Sequence, residues 1–213
     1  MTIAFQGSLL DGLDGPNTEP VLHSLADRIE RTKLTRGAWV DVSPGWVSGS
    51  DELFLRLVDT VPWQAERRQM YERVVNVPRL LSWYAESDPL PDAILDRARE
   101  SLSEHYRAEL GEPFRTAGLC YYRDGRDSVA WHGDTIGRSK HEDTMVAIVS
   151  FGAARRLMLR PRGGGSAMGF ALGHGDLLVM GGSCQRTWEH AILKTARPVG
   201  PRISVQFRPR GVR

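Results

Sequence analysis

Two cysteines in 213 residues are too few for a disulfide framework. Cys120 and Cys184 are isolated, and no Cys-x-x-Cys pair is present to hold a structural zinc. No apolar run approaches the roughly 20 residues of a membrane helix. Met1–Gln6 lack the basic start and long apolar stretch of a secretory signal. A monomer in the reducing cytoplasm, without a membrane partner, is therefore expected. An excess of one charge is missing too: 28 Lys+Arg against 26 Asp+Glu leave a net charge of +2, so bulk charge announces no nucleic-acid partner. No fixed repeat period is visible, which argues against a solenoid. What is present is ordinary for a folded protein, 41% hydrophobic and 25% charged, on a chain long enough for one domain or a domain with an extension.

Taken in order, residues 1–17 are rich in Gly, Asp and Asn without a period and read as irregular, with a short strand near the start. From Pro20 to about Arg31, the residues Val21, Leu22, Leu25, Ala26 and Ile29 fall at helical spacing and predict a helix. Ala38–Val42 reads as a strand ended by Ser43-Pro44-Gly45. Ser50 is placed as an N-cap, with Asp51 and Glu52 in the first turn, Leu53, Phe54, Leu57 and Val58 following, and Pro62 as a stop. Trp63–Tyr84 reads as strand-like pieces and loop. A helix then opens at Pro91 and buries Ile94, Leu95, Ala98 and Leu102, and Gly111 ends it. From Phe114 the texture changes to short apolar runs between Gly-rich turns: 117–122, 144–151, 156–159, 168–172, 176–180, 188–192 and 202–207. Such spacing predicts a β-sandwich or barrel. The soft boundary near 114 divides the chain into an extension, 1–113, and a core, 114–213.

Within that core, Trp131-His132-Gly133-Asp134 places an imidazole and a carboxylate two apart, on one face if the segment is a strand. His190, in Trp188-Glu189-His190, supplies a third ligand. Two histidines and a carboxylate on one side of a metal form the facial arrangement of non-haem Fe(II) oxygenases. The strand Arg202–Arg208 alternates cleanly: Arg202, Ser204, Gln206 and Arg208 on one face, Ile203, Val205 and Phe207 on the other. A polar face of this kind suits a barrel interior. A buried arginine there requires an anionic partner, which a dicarboxylate cosubstrate provides through the guanidinium fork. Tyr121 and Tyr122 precede an Asp-Gly turn, from which a phenol can reach the same carboxylate. His174, between glycines, reads as a turn residue, and His141 in its charged loop as solvated.

These motifs together resemble the AlkB family of Fe(II)- and 2-oxoglutarate-dependent dioxygenases. They are Tyr122–Asp134, Ser150-Phe151-Gly152-Ala153, His174–Met180, Trp188-Glu189-His190 and Arg202–Arg208, with a weaker echo in Val77–Leu80 and Trp83-Tyr84. The resemblance implies an α+β fold, with a double-stranded β-helix (jelly-roll) core and an N-terminal helical lid extension. It implies Fe(II) on His132, Asp134 and His190, and 2-oxoglutarate and O₂ as cosubstrates. Arg202 would pair with the distal carboxylate, Arg208 would support the end near the metal, and Tyr122, Ser204 and Gln206 would complete the pocket. The implied reaction is oxidative removal of alkyl groups from nucleobases in single-stranded or damaged DNA, with RNA as a further candidate. Trp83, Tyr84, Met70 and Tyr71 are then candidates for stacking on a base, and Arg155, Arg160 and Arg162 for phosphate contact. Three positions depart from the family pattern: Cys120 stands where Asn is common, and Ser204 and Gln206 stand for Asn and Thr. Thr135-Ile136-Gly137 follows the metal aspartate where acidic residues are usual, which leaves open a hydroxylase of a protein side chain or a small metabolite.

Overall fold

The computed structural model describes residues 19–70, 73–135 and 141–212, with the backbone alone described for 67–70 and 73–76. The expectations for residues 1–17, the Met70 side chain, Tyr71, Ile136 and Gly137 lie outside the described residues.

The first elements among the described residues are β1 (Val21–Leu22) and β2 (Glu30–Lys33). No helix forms between Pro20 and Arg31, which corrects the reading from spacing. Val21 and Leu22 pair with β4 (Val47–Ser48), and the His23 backbone N–H donates to the Trp46 carbonyl, while the Trp46 indole donates to the His23 carbonyl. Ser24 Oγ accepts from the Ala26 backbone N–H. Leu25 reaches the core from a turn, with Leu22 and Ile29 packed beside it. Long-range pairing has overridden a local period. β3 (Ala38–Ser43) follows as expected, and α1 (Asp51–Thr60) starts after Ser50. The Ser50 hydroxyl does not cap the helix; it meets His174 Nε2 at 2.6 Å. β5 (Gln64–Met70) and β6 (Arg73–Tyr84) form a long hairpin where strand pieces and loop are expected. In α2 (Ala93–His105), Asp92 is the N-cap and accepts from Ile94 N, and the four predicted apolar residues are buried. α3 (Arg107–Leu110) ends at Gly111, which is left-handed at φ 75.

The second half supplies β7 (Thr116–Tyr122), β8 (Val129–His132), β9 (Val146–Gly152), β10 (Arg155–Pro161), β11 (Met168–Leu172), β12 (Leu177–Gly182), the short α4 (Cys184–Thr187), β13 (Trp188–Ile192) and β14 (Arg202–Arg208). These match the predicted apolar runs closely. They assemble into an eight-stranded sheet, β2-β3-β12-β9-β14-β7-β6-β5, facing a four-stranded one, β11-β10-β13-β8. This is the expected jelly-roll core. Residue 114 is not a break in the large sheet: β3 pairs with β12 and β6 with β7. Among the described residues no helix is long and apolar enough to cross a membrane.

Two cores flank the large sheet. On one face Val149, Phe151, Val179, Ile203, Val205 and Phe207 pack on Leu53, Phe54 and Leu57 of α1 and on Ile94, Leu95 and Leu102 of α2. On the other, Ile148, Leu178 and Met180 meet Leu157, Leu159 and Ile192 of the small sheet. β14 lies centrally, between β7 and β9, and is buried along its whole length. Its apolar side chains serve the helix-side core, and its polar ones enter the space between the sheets.

Candidate active site

His132 ends β8 and His190 lies directly across the ladder on β13. The register shifts between His190 and Ile192, a bulge that lets both Val129 and His132 line the pocket between the sheets. Bulges commonly re-aim a side chain next to an active site. His132 Nδ1 lies 2.8 Å from the Ala130 carbonyl, so this nitrogen donates and Nε2 presents its lone pair. The two rings are 4.2 Å apart by their centroids. Asp134 is not on the strand with His132, as the two-residue spacing suggested; it lies just past the end of β8. Its backbone N–H donates to Gln185 Oε1 at 2.9 Å, which fixes the loop. Gly133 is needed for the approach: a Cβ there would lie 2.5 Å from the Gln185 carbonyl oxygen. The outcome is a trio whose ligand atoms all lie within 4.8 Å of one another.

Electrostatics keep Asp134 and His190 in ligand form. Burial pushes Asp134 upward, but Arg208, His190 and His132 outweigh it and hold the carboxyl at about 2. Arg208 Nε donates to Asp134 Oδ2 at 2.9 Å. Burial, then the neighbouring His132 and Arg208, lower His190 to about 3 despite the attraction of Asp134. An unprotonated His190 and an ionised Asp134, beside the inward Nε2 of His132, are the donor types that a divalent iron requires. The depressed His190 value has a consequence for stability. In the metal-free protein, the unfolded chain takes up a proton near pH 6.5 that buried His190 refuses until about 3. The unfolded state then binds more protons, so stability falls with falling pH, by about 1.4 kcal/mol per unit for one such group. Thermal melts between pH 6.5 and pH 4 should show this slope, and His190→Gln should flatten it.

The opposite end of the same pocket is cationic. Arg202, 1% exposed, donates from Nε to Ser150 Oγ at 2.8 Å, while its Nη1 is buried without a partner. Burial lowers its pKa, the mark of a charge held without a counter-ion. Tyr122 stands opposite Arg202 in the ladder, with the guanidinium 5.3 Å over its ring. Burial raises the Tyr122 phenol above its ordinary range, so it remains a donor. An unpaired guanidinium at one end and an open-faced metal trio at the other fit a dicarboxylate with an oxo group beside one carboxylate. Ser204 and Gln206 line the wall between.

Two site residues were not singled out from sequence. Arg79, on β6, lines the pocket, with Nη1 on the Ser128 carbonyl and Nε buried without a partner. The alternation Arg79, Leu81, Trp83 is its signal, and it points to the site only through the pairing of β6 with β5 and β7. Gln185, which anchors Asp134, lies in the short α4 and had no signal. The candidates for substrate contact divide. Trp83 is 38% exposed beside Arg208, whose guanidinium lies 6.0 Å from its ring, so it stands at the pocket mouth. Tyr84 points the other way, into the helix-side core, because strand neighbours alternate faces. Arg155 is also corrected: it is buried, and its nitrogens donate to the carbonyls of Asp124, Asp127 and Leu193, tying loops together rather than meeting phosphate. Arg160 pairs with Glu189 and lies over Trp131 at 4.3 Å. Arg162 is exposed and donates to the Gln185 carbonyl. His174 is far from the trio in role, with Nδ1 accepting from Gly152 N.

Comparison with known proteins places this geometry. The model of the 2OG-Fe(II) oxygenase superfamily matches residues 47–208. The chain is 30% identical over 202 residues to the alpha-ketoglutarate-dependent dioxygenase alkB homolog 3 of Bos taurus, covering 81% of this chain and 68% of that protein. The Homo sapiens protein of the same name is 28% identical over 194 residues, covering 79% and 66%. A DNA oxidative demethylase ALKBH2 of Arabidopsis thaliana is 31% identical over 133 residues, covering 52% and 42%. Among solved structures, OsALKBH1 superposes with a TM-score of 0.58 at 15% identity, covering 84% of this chain and 100% of that one, which speaks to the fold.

Proposed function

Because the chain belongs to the AlkB family of 2OG-Fe(II) oxygenases, we propose that it oxidatively demethylates N-alkylated nucleobases in DNA and releases formaldehyde. One observation carries the reading: His132 and His190, grouped with Asp134, line the same pocket as Arg202, whose Nη1 is buried without a partner. His132, Asp134 and His190 would hold Fe(II), and Arg202 the far carboxylate of 2-oxoglutarate. That pair, with O₂, supplies the oxidising power to hydroxylate a C–H bond.

The protein's part is positioning and exclusion of water. Arg208 keeps Asp134 ionised and aimed at the metal position. The His132 Nδ1–H bond to Ala130 fixes the ring so that Nε2 faces inward. Tyr122 and Arg202 offer O–H and N–H donors to the cosubstrate, and Ile148, Leu157 and Ile192 give that space an apolar wall. Hydroxylating an N-methyl carbon gives an N-hydroxymethyl group, which loses formaldehyde and leaves the nitrogen with its hydrogen. A base inside a duplex cannot reach the trio, so the substrate is flipped out or single-stranded. Trp83 at the mouth is the candidate for stacking, with Arg162 available to a phosphate.

Thr135, exposed directly after Asp134, supports a second reading. With no carboxylate there to meet a base edge, the same chemistry suits hydroxylation of a protein side chain or a small metabolite. Succinate formation separates the two. Turnover should rise severalfold with oligonucleotides carrying 1-methyladenine or 3-methylcytosine and should release formaldehyde in step. Equal succinate with and without them removes the demethylase reading.

A further inference from the structure

Cys120, Ser204 and Gln206, three of the positions that depart from the family pattern, are in contact with one another. Cys120 on β7 faces Ser204 on β14 across the ladder, and Gln206 is the next inward residue on β14. The Gln206 amide donates to the Ser204 carbonyl oxygen at 2.9 Å and also to Ser204 Oγ. Its Oε1 accepts from the Cys120 thiol at 3.6 Å. All three are buried and line the pocket that holds Arg202.

The direction of these bonds matters. A carboxamide has two N–H donors, and both are engaged by Ser204. Gln206 therefore has no donor left for an anion in the pocket. Ser204 Oγ already receives a hydrogen, so its own proton is free to point elsewhere. Across the ladder from Ser204 stands Ser150, whose Oγ accepts from Arg202 Nε. The Ser204 hydroxyl is thus one cross-strand step from the guanidinium whose Nη1 has no partner.

We propose that Gln206 is a positioning residue for the dicarboxylate cosubstrate: oriented by Cys120, it holds Ser204 so that the serine hydroxyl donates to the anion paired with Arg202. This rests on the cosubstrate reading above. It revises the role expected from resemblance, in which Gln206 touches the cosubstrate itself. Thiol, amide and hydroxyl act in sequence, and the thiol's contribution is its S–H donor, not its bulk.

The test is calorimetric titration of 2-oxoglutarate into the full chain loaded with Mn(II), a stand-in that supports binding without turnover. Gln206→Met and Cys120→Val should each weaken binding roughly fivefold, the scale of one neutral hydrogen bond. Cys120→Ser, which keeps a donor, should remain within about twofold of the parent. The double variant should be no weaker than Gln206→Met alone, since Cys120 acts through Gln206. Mn(II) affinity, titrated separately, should not move in any of them. With iron, the loss should appear in KM for 2-oxoglutarate and not in kcat. Should Cys120→Val fail to fold, Gln206→Met and Cys120→Ser carry the test between them. Parent-like binding by Gln206→Met, Cys120→Ser as weak as Cys120→Val, or additive losses in the double variant would each overturn the inference. A parent protein that fails to bind 2-oxoglutarate at all overturns the cosubstrate reading along with it.

Discussion

Replacing Arg202 with Met should weaken 2-oxoglutarate binding by roughly two orders of magnitude or more and, in the absence of cosubstrate, should raise the melting temperature. The two effects have one cause. Arg202 is fully buried, with one donor on Ser150 and Nη1 unsatisfied. A buried guanidinium without a counter-charge costs several kcal/mol. The cosubstrate's carboxylate offsets that cost when it binds, and losing such a pair removes about 2–5 kcal/mol of affinity. Methionine is unbranched and apolar, so it fills much of the same space without the charge. Cosubstrate that stabilises the parent protein should no longer stabilise the variant. Melts with and without 2-oxoglutarate, beside a binding titration, check both halves. Unchanged affinity would show that Arg202 does not hold the distal carboxylate.

At the other end of the pocket the sign reverses. Asp134→Ala should abolish turnover and should also destabilise the protein, by about 3–5 kcal/mol, the usual consequence of removing one partner from a buried ion pair. Here the partner is Arg208, which is largely buried and donates to Asp134 at 2.9 Å. The alanine variant leaves that charge without its carboxylate, and it leaves the two histidines without the anion that draws a divalent metal. Adding Arg208→Met to Asp134→Ala should recover much of the stability and none of the activity. Succinate production and denaturant titrations on the single and double variants read these outcomes. Turnover that survives in Asp134→Ala would remove the proposed metal trio.

Much of this site was legible in the sequence, for a specific reason. Arg202–Arg208 alternates because its two faces meet two environments, helices on one side and the pocket on the other. Strand periodicity records that directly. The apolar stripe Ile94, Leu95, Ala98, Leu102 did the same for α2. Where the reading went astray, a partner distant in sequence decided the outcome. Val21 and Leu22 joined β4 in place of a helix. Arg155 found three carbonyls contributed by loops far away along the chain. Arg79 and Tyr84 took opposite faces of a strand whose pairing with β7 cannot be seen locally. Asp134 shares its site with His132 through a loop braced by Gln185, not through the strand geometry that first suggested the pair.

The seam at residue 114 bears on how such enzymes diverge. Since β12 is bordered by β3, and β7 by β6, the earlier half is woven into the floor on which the cosubstrate would rest. A chimera that exchanged the first 113 residues with those of a relative would not graft a new substrate cap onto an untouched engine. It would replace the neighbours of Tyr122 and Cys120 as well, so choice of substrate and affinity for the cosubstrate are traits that this architecture obliges to be inherited together.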